Sequence, residues 1–351
     1  MSSTTPGPET TPSTAPDELL VLPDTMTAAV TRSYGTPEIV ALEELPVPSP
    51  GKGELLVKVE GSSLNALDWH FLTGTPYLLR LVNGLRRPKR IVPGADVAGI
   101  VVGVGAQVTD FVLGDEVFGE CEGGGCAPYL TVDAGNVVAK PGGVSFETAG
   151  ATPIAGLTAL QGLRTKANVQ PGDRVLINGS AGGVGTFAVQ IAKALGAEVT
   201  AVCSARNVDM VRALGADEVI DYTSEDFAEG GARFDVMLDN VGSRTPAECL
   251  SVLKPDGRYV SVGGPKDNNW IEPMRYVARM WFACKRSTQA FHQFVAKPDK
   301  DDLEFLGALL ASGELKPEIQ RVIGIDGVAD ALAELGSGHA RAKIAIHHEQ
   351  G

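Results

Sequence analysis

The chain has 351 residues and a formal net charge of −13, with 43 acidic and 30 basic side chains. This length allows two domains. The negative charge argues against a nucleic-acid partner, which would need a basic face. The sequence contains no run of 18 apolar residues, so it predicts no membrane-spanning helix.

Residues 1–24 differ in composition from the rest, being rich in Ser, Thr and Pro and free of Lys and Arg. They lack the basic start and apolar middle of a secretory signal, and the arginines of a mitochondrial transit peptide. We expect a disordered tail here. The cysteines are odd in number and scattered, which favours a reduced, cytoplasmic location. They are Cys121, Cys126, Cys203, Cys249 and Cys284.

From Met26 to about Val138, short β-rich runs alternate with Gly and Pro, which predicts a small barrel-like β domain. After Ser145 the sequence turns helical and then alternates between strand and helix patterns, which indicates βαβ units on a parallel sheet. The predicted strands are 174–178, 198–203, 218–220, 234–238 and 258–262. The predicted helices are 183–195, 207–214, 245–253, 301–312 and 327–335, and AKIAIH forms a final strand.

A glycine-rich loop, GSAGGVG, joins the strand at 174–178 to the helix at 183–195. Small residues allow the sharp turn, a missing Cβ lets the backbone approach a pyrophosphate, and Gly185 lets helix and strand pack closely. The helix N-terminus then offers N–H groups and a positive dipole end to the anion. Ser180 stands at the first glycine position of the usual pattern, but the strand–loop–helix context still predicts dinucleotide binding rather than a merely structural turn. The predicted contacts are Gly179, Ser180, Ala181, Gly182, Gly183, Val184 and Gly185.

The end of the second strand indicates which cofactor is preferred. An NAD site would carry Asp or Glu there to bind the ribose 2′-hydroxyl. This strand instead ends at Cys203, and Ser204 and Arg206 follow. A serine hydroxyl and a guanidinium suit a 2′-phosphate, so the pattern favours NADP(H) over NAD. The alternative is that Arg206 caps a solvent-facing turn.

On these features the chain resembles the medium-chain dehydrogenase/reductase superfamily, in its zinc-independent quinone oxidoreductase-like branch. The matching segments run in order from about Thr27 to His347. They are VKVEGSSLNALDW, PGADVAGIVVGVG, GDEVFG, PIAGLTAL, INGSAGGVGTFAVQIAKALGAEV, LGADEVIDY, LKPDGRYVSVGG and ARAKIAI. The resemblance implies a GroES-like β domain of barrel type plus a Rossmann domain with a doubly wound parallel sheet. It places the catalytic domain at 25–150 and 299–351 and the Rossmann domain at 151–298, with the active site between them.

The residues at the zinc positions of this superfamily argue against a catalytic zinc. Asn65 stands where the first ligand cysteine would be, and PGAD puts Ala95 and Asp96 where the Gly-His-Glu triplet would end. A catalytic zinc needs three protein ligands, which Asp96 alone cannot supply. Cys121 and Cys126 are not followed by the second pair that a structural zinc loop would need.

Without a Lewis acid, hydride transfer needs an acceptor that is already electrophilic, such as a quinone or a conjugated enone. From the Asn-x-x-Asp pattern of the family, Asn65 is the candidate hydrogen-bond donor to the acceptor oxygen. Asp68 would orient Asn65 or the nicotinamide ribose, unless the two form only a loop network. Tyr77 is a candidate proton donor. His70 is either a proton relay or a partly exposed side chain.

The resemblance also implies cofactor contacts at the ends of Rossmann strands and on a helix beside them. They are Thr158, Tyr222, Asn240, Val241, Gly242, Val262, Gly263 and Gly264. The basic stretch at 80–90 is expected to be an insertion near the cleft mouth: a solvated loop, a lid, or a docking patch for an anionic substrate. The aromatic stretch at 270–295 is expected to line the substrate pocket or a subunit interface, or to form a packing helix, which leaves a homodimer open.

The sequence thus predicts an NADPH-dependent, zinc-independent reductase that transfers a hydride to a small-molecule quinone or α,β-unsaturated carbonyl. A non-catalytic NADPH-binding protein is the first alternative. An NAD(P)-dependent alcohol dehydrogenase is the second.

Overall fold

The computed structural model describes residues 22–263, 272–338 and 340–348. The predicted tail lies outside this range except for its last three residues. The predicted cofactor contact Gly264 and the first two residues of the stretch at 270–295 also lie outside it.

The N-terminal part consists of seven strands and three short helices. Its strands are β1 (Thr25–Val30), β2 (Ala41–Pro46), β3 (Glu54–Leu64), β4 (Asp96–Val104), β5 (Glu116–Glu120), β6 (Tyr129–Asp133) and β7 (Val137–Ala139). Its helices are α1 (Ala66–Thr73), α2 (Arg80–Asn83) and α3 (Phe146–Gly150). The strands β1 and β2 pair as an antiparallel hairpin, and the others join a larger mixed sheet.

The middle of the chain forms a second sheet with helices between its strands. The strands are β8 (Arg174–Asn178), β9 (Glu198–Cys203), β10 (Glu218–Asp221), β11 (Phe234–Asp239), β12 (Leu253–Ser261) and β13 (Ala290–Gln293). The helices are α4 (Pro153–Leu160), α5 (Gly183–Ala194), α6 (Val208–Ala213), α7 (Pro246–Ser251) and α8 (Glu272–Cys284). All five strand pairs are parallel, in the order β10-β9-β8-β11-β12-β13. This is the doubly wound Rossmann order, which reverses between β8 and β11.

The last part of the chain returns to the larger mixed sheet of the N-terminal part. It contains α9 (Lys300–Ser312), β14 (Ile319–Ile323), α10 (Val328–Ser337) and β15 (Lys343–His347). Strand β15 runs antiparallel to β3, with Ile344 opposite Leu64. Over the described residues this sheet is open, with β14 and β7 at its ends, rather than a closed barrel. The predicted combination of a β domain with a doubly wound parallel sheet is confirmed.

Hydrophobic burial explains why the predicted strand–helix alternation holds. Strand β8 is buried almost throughout, as expected for a central parallel strand covered on both faces, and α5 is buried on all sides over eight consecutive residues, Gly185 to Ala192. One hydrophobic cluster continues through both parts of the molecule, including Phe118 of β5, Leu157 of α4 and Leu306 of α9, each fully buried. Burying each such side chain contributes about 1.5–3 kcal/mol. The two sheets are therefore held against each other through α4 and α9.

The aromatic stretch at 270–295 differs in part from the predicted helix. Residues 272–284 are helical, but Ala290–Gln293 forms the sixth parallel strand, which pairs with β12. Tyr276 and Met280 of α8 are buried, whereas Trp281 and Phe282 are exposed. The helix thus has a packing face and an open aromatic face.

The basic stretch at 80–90 begins with α2 and continues from Gly84 as a loop. The Tyr34 hydroxyl donates to the Gly84 carbonyl at 2.5 Å, and the Arg90 backbone N–H donates to Asn83 Oδ1 at 3.2 Å. The aliphatic side chains of Leu81 and Leu85 remain exposed.

Within the described residues, no helix is both long enough and apolar enough to cross a bilayer.

The cysteines are unpaired thiols, and four of the five are buried. Burial raises the pKa of all five thiols, most strongly for Cys126 and Cys121, and raises that of Cys249 to about 12. At neutral pH these groups are protonated thiols.

Candidate active site and cofactor loop

The glycine loop turns tightly between β8 and α5. A Cβ on Gly185 would lie 2.2 Å from the Gly179 carbonyl oxygen and 2.6 Å from Ser180 Cα, so no other residue fits there without a backbone shift. Gly179 itself has a φ of +76°, a conformation that favours glycine. The Ser180 side chain is fully buried, and its hydroxyl donates to the Val202 carbonyl at 2.9 Å. Ser180, which stands at the first glycine position of the usual pattern, thus anchors the loop to β9 through its hydroxyl.

The outer side of the same loop is open. A Cβ on Gly182 would meet no atom closer than 3.6 Å. Gly182 is also the N-cap of α5 and provides no side-chain acceptor for the N–H groups of the first turn. The N–H groups of a first helical turn and the helix dipole favour an anion. The geometry of the loop therefore fits a dinucleotide pyrophosphate.

The turn after β9 carries the residues predicted to select the cofactor. Ser204 Oγ accepts a hydrogen bond from Asn207 Nδ2 at 3.1 Å, and Arg206 is exposed. The structure adds a group that the sequence pattern did not reveal. Asp221, at the end of β10, pairs with Cys203, and hydrogen bonds from Thr223 and from the Ala205 backbone lower the pKa of its carboxyl. A carboxylate therefore stands beside the proposed 2′-phosphate position.

Three of the predicted contacts, Asn240 to Gly242, follow β11 and are held by the buried Asp239. Its Oδ1 accepts from the backbone N–H of Val241 and Gly242, both at 3.0 Å, and from Asn178 Nδ2 at 2.9 Å. Asp239 thus links the ends of β8 and β11. The carboxyl ends of parallel strands are where ligands bind in such sheets.

The remaining predicted cofactor contacts lie at helix positions and strand ends. Thr158 is half-buried on α4, and its hydroxyl donates to the Ile154 carbonyl at 2.7 Å. Tyr222 is exposed directly after β10, and its N–H donates to Cys203 O at 3.0 Å. Val262 and Gly263 follow β12, and both N–H groups donate to the Asp239 carbonyl. These positions surround the strand ends but do not themselves identify a ligand.

Asn65 lies at the N-terminus of α1 and is 8% exposed. Its side-chain Nδ2 donates to Asp96 Oδ2 at 2.8 Å, and its Oδ1 accepts from Lys343 Nζ at 2.5 Å. Because a carboxamide nitrogen carries two hydrogens, one N–H is left after the bond to Asp96. The carboxamide can therefore donate to a further oxygen without breaking its network.

Asp96, at the start of β4, is the centre of this network and has no exposed surface. Its Oδ2 accepts from Ser63 Oγ at 2.5 Å and from Lys343 Nζ at 3.1 Å, in addition to Asn65. Its Oδ1 accepts from the Ile154 backbone N–H at 2.8 Å. That N–H belongs to the first turn of α4, where the helix dipole favours a negative charge. The carboxylate therefore joins β3, β4, β15 and α4 at one point.

Asp68 is buried and uses both oxygens to hold backbone. Its Oδ2 accepts from the Asn65 N–H at 2.7 Å, and its Oδ1 accepts from the Gly94 N–H at 2.8 Å. Burial raises the pKa of this carboxyl to about 6, against the lowering effect of these two bonds. Both bonds are to backbone N–H groups, which fits the predicted orienting role toward Asn65 and equally fits the alternative of a loop network.

His70 lies within α1, and Tyr77 follows that helix. The Arg80 guanidinium stacks over the Tyr77 ring at 4.6 Å, and Tyr77 begins a 3-10 turn after the helix. The Nδ1 of His70 lies 2.7 Å from the Thr75 carbonyl oxygen. These contacts do not place either side chain at a reacting atom.

Sequence reasoning missed Lys343 because its partners Asn65 and Asp96 lie more than 240 residues away. A charged residue at the start of the apolar strand KIAI was the available signal. Asp239 was missed for a similar reason, since its partners come from separate strands.

The described residues contain no group of three or more His, Cys, Asp or Glu side chains arranged to hold a metal ion. At two positions where zinc-dependent members of the superfamily carry ligands, this chain has Asn65 and Asp96, and both contact the Lys343 ammonium. A cation already occupies these two acceptors.

Comparison with known proteins extends over both parts of the chain. Residues 51–142 match the family model of the alcohol dehydrogenase GroES-like domain, and 214–346 match that of a zinc-binding dehydrogenase. The chain is 35% identical to quinone-oxidoreductase QR1, chloroplastic, of Triphysaria versicolor, over 86% of this chain and 92% of that protein. It is 32% identical to 2-methylene-furan-3-one reductase of Solanum lycopersicum, over 93% and 80%. The solved structure of the quinone oxidoreductase from Coxiella burnetii superposes with a TM-score of 0.81 at 31% identity, over 92% and 99%.

Proposed function

Because the chain belongs to the medium-chain dehydrogenase/reductase superfamily, in its quinone oxidoreductase-like branch, we propose that it is an NADPH-dependent reductase of quinones or α,β-unsaturated carbonyls that needs no zinc. Relatives of this family are oxidoreductases that bind nicotinamide cofactors. The observation that carries the finer proposal is the buried network in which Asn65 is held by Asp96 and Lys343.

The glycine loop would hold the cofactor by its pyrophosphate. The open side of Gly182 and the first-turn N–H groups of α5 supply the space and the donors. Once bound, the dihydronicotinamide supplies the hydride. Ser204 and Arg206 favour NADPH over NADH, while the nearby carboxylate of Asp221 works against a 2′-phosphate. These two effects oppose each other, so measuring the NADPH and NADH affinities tests the proposed preference.

Asn65 would stabilise the negative charge that develops on the acceptor oxygen. Its second N–H is the available donor, and a preorganised donor in a buried setting requires little reorganisation during the reaction. Asp68 fixes the backbone of Asn65, and Tyr77 remains the candidate source of the proton. A quinone or an enone suits this site because either delocalises the incoming charge onto an oxygen without a Lewis acid.

Two contacts support the zinc-independent reading. The Lys343 ammonium lies against both Asn65 Oδ1 and Asp96 Oδ2, so a metal ion there would have to displace a buried cation. An amide oxygen and one carboxylate are also a poor ligand set for zinc, which prefers thiolate and imidazole.

The test is NADPH consumption, followed at its absorbance band, with a panel of quinones and enones. Asn65→Ala should lower kcat by about 10- to 100-fold, at or below the low end of the roughly 10²- to 10³-fold loss for one such donor, and should leave NADPH affinity nearly unchanged. An enone should lose more than a quinone, because its enolate oxygen holds more of the charge. Asn136→Ala, at a half-buried asparagine outside the network, is the matched control.

Three outcomes would contradict the proposal. Tight NADPH binding without turnover on any acceptor would favour a non-catalytic binding protein. About one tightly held zinc per chain, with activity lost to chelators, would favour an alcohol dehydrogenase. Unchanged kcat in Asn65→Ala would remove Asn65 from the chemistry and leave it a structural role.

A further inference from the structure

Lys343 is a buried lysine at the start of β15, with only 2% of its side chain exposed. Its ammonium donates to Asn65 Oδ1 at 2.5 Å and to Asp96 Oδ2 at 3.1 Å, and lies 3.5 Å from the Leu64 carbonyl oxygen. Taking an ammonium and a carboxylate out of water is costly, and such a pair persists only when further hydrogen bonds satisfy both ions. Here the carboxamide of Asn65 is bound to both members of the pair.

The two ends of a carboxamide have nearly the same shape and differ in hydrogen bonding. An ammonium can only donate and an ionised carboxylate can only accept. Lys343 therefore selects the oxygen end of Asn65, and Asp96 selects the nitrogen end. Without these two charges, the carboxamide could rotate and present its oxygen where a donor is needed.

Resting on the function proposed above, we infer that Lys343 is a positioning residue of the active site. Together with Asp96 it fixes the Asn65 carboxamide so that the second N–H is presented to the oxygen of the acceptor. The ammonium at Oδ1 also polarises the amide, which strengthens its remaining N–H as a donor.

The backbone beside Lys343 makes a separate contact with the cofactor loop. The Ala342 N–H donates to the Ala181 carbonyl at 2.8 Å, and Ala342 forms a β-bridge with Gly182. The Lys343 N–H donates to the Glu318 carbonyl at 3.0 Å. Because these bonds use backbone atoms, a change of the Lys343 side chain leaves them in place. The Lys343 Cδ also lies beside Gly183, and methionine keeps an atom at this position. Loss of the ammonium should therefore affect turnover and spare cofactor binding.

The test uses the full chain with two replacements at the pair. Lys343→Met removes the ammonium but leaves Asp96 buried and unpaired, which can unfold the protein. The double variant Lys343→Met/Asp96→Asn has no buried charge at this point and keeps similar volumes. We expect its kcat to fall about 10- to 100-fold, at or below the low end of the roughly 10²- to 10³-fold loss for one well-aimed donor, with NADPH affinity within about 2-fold of the parent. Lys140→Met is the matched control, since Lys140 is also buried and paired with a carboxylate, 2.9 Å from Glu116.

A mutant cycle with Asn65→Ala separates positioning from a general structural effect. If Lys343 acts through Asn65, the double replacement made in the Asn65→Ala background should cost less than about 2-fold further in kcat. Losses that multiply in full, or an unchanged kcat in the double variant, would overturn the inference. A parent inactive on every quinone and enone would instead refute the proposed function.

A second readout does not depend on turnover. The side-chain NH₂ signals of Asn65 can be assigned by NMR from their loss in Asn65→Ala. The double variant should shift these signals and speed the exchange of their hydrogens with water, while Lys140→Met leaves them unchanged. Unchanged Asn65 signals in the double variant would show that the pair does not orient the carboxamide.

Discussion

Gly182 and Gly185 lie three residues apart in the cofactor loop, and an added methyl group should affect a different property at each. At Gly185 it should lower the stability of the fold, and at Gly182 it should weaken NADPH binding. At Gly185 the new Cβ would lie 2.2 Å from the Gly179 carbonyl oxygen, where ordinary contact begins at 3.4 Å. The loop backbone would have to move by roughly 1 Å, and forcing a methyl group into a packed site costs about 1–3 kcal/mol. The gain in helix propensity on replacing Gly, up to about 1 kcal/mol, offsets part of this. We expect Gly185→Ala to be destabilised by about 1–2 kcal/mol.

At Gly182 the new Cβ would lie 3.6 Å from its nearest neighbour, and the backbone has a φ of −81°, which alanine adopts readily. Replacing Gly by Ala at an N-cap costs a few tenths of a kcal/mol to about 1 kcal/mol. The methyl group would occupy the open side over which the pyrophosphate approaches. We expect Gly182→Ala to fold nearly as stably as the parent and to bind NADPH at least about tenfold more weakly, or about 1.4 kcal/mol.

Both variants can be compared by thermal unfolding and by NADPH titration. Gly142→Ala is the control, because a Cβ there would meet nothing within 4 Å. It should match the parent in both measurements. Parental NADPH affinity in Gly182→Ala would refute the placement of the pyrophosphate, and a parental Tm in Gly185→Ala would refute the packing argument.

Arg206→Ala should weaken NADPH binding by about 1.5–3 kcal/mol, the range for a charged hydrogen bond, and leave NADH affinity unchanged; equal losses would place the 2′-phosphate elsewhere. Glu120 makes a prediction about pH, because burial and then the charge of Asp96 raise the pKa of its carboxyl to about 7. Its contribution to stability is complete below the unfolded pKa of 4.5 and is lost as pH rises through about 7. Glu120→Gln should therefore raise Tm relative to the parent at about pH 8, and this advantage should shrink at about pH 5; a pH-independent difference would contradict the assignment.

The Rossmann sheet could be predicted from sequence because its signals are local. Strands β8 to β11 lie within about a residue of their predicted bounds, since each is a short apolar run between turn residues. Strand β12 begins at Leu253, earlier than the predicted 258, because its first residues pair irregularly with Phe234. Strand β13 was missed because its four residues carry little pattern of their own and follow a longer aromatic helix.

The candidate site was predictable in part. Asn65 and Asp68 share a local pattern, and the structure joins them through the Asn65 backbone N–H, which donates to Asp68 Oδ2. Lys343 could not be placed, because only the pairing of β15 with β3 brings it to Asn65. Asp96 was considered only as an insufficient zinc ligand, and its role as the centre of a buried network depends on four elements meeting in space.

The protonation and burial of the thiols bear on how this protein would withstand the substrates proposed for it. Quinones and enones are soft electrophiles that add to thiolates much faster than to thiols. Four of the five cysteines are buried, and burial raises the pKa of all five, including the half-buried Cys284. Arylation or Michael addition at the four buried sulfurs would need both local unfolding and deprotonation, and at Cys284 it would need deprotonation. The fold would thereby protect a reductase of such compounds against inactivation by them during turnover.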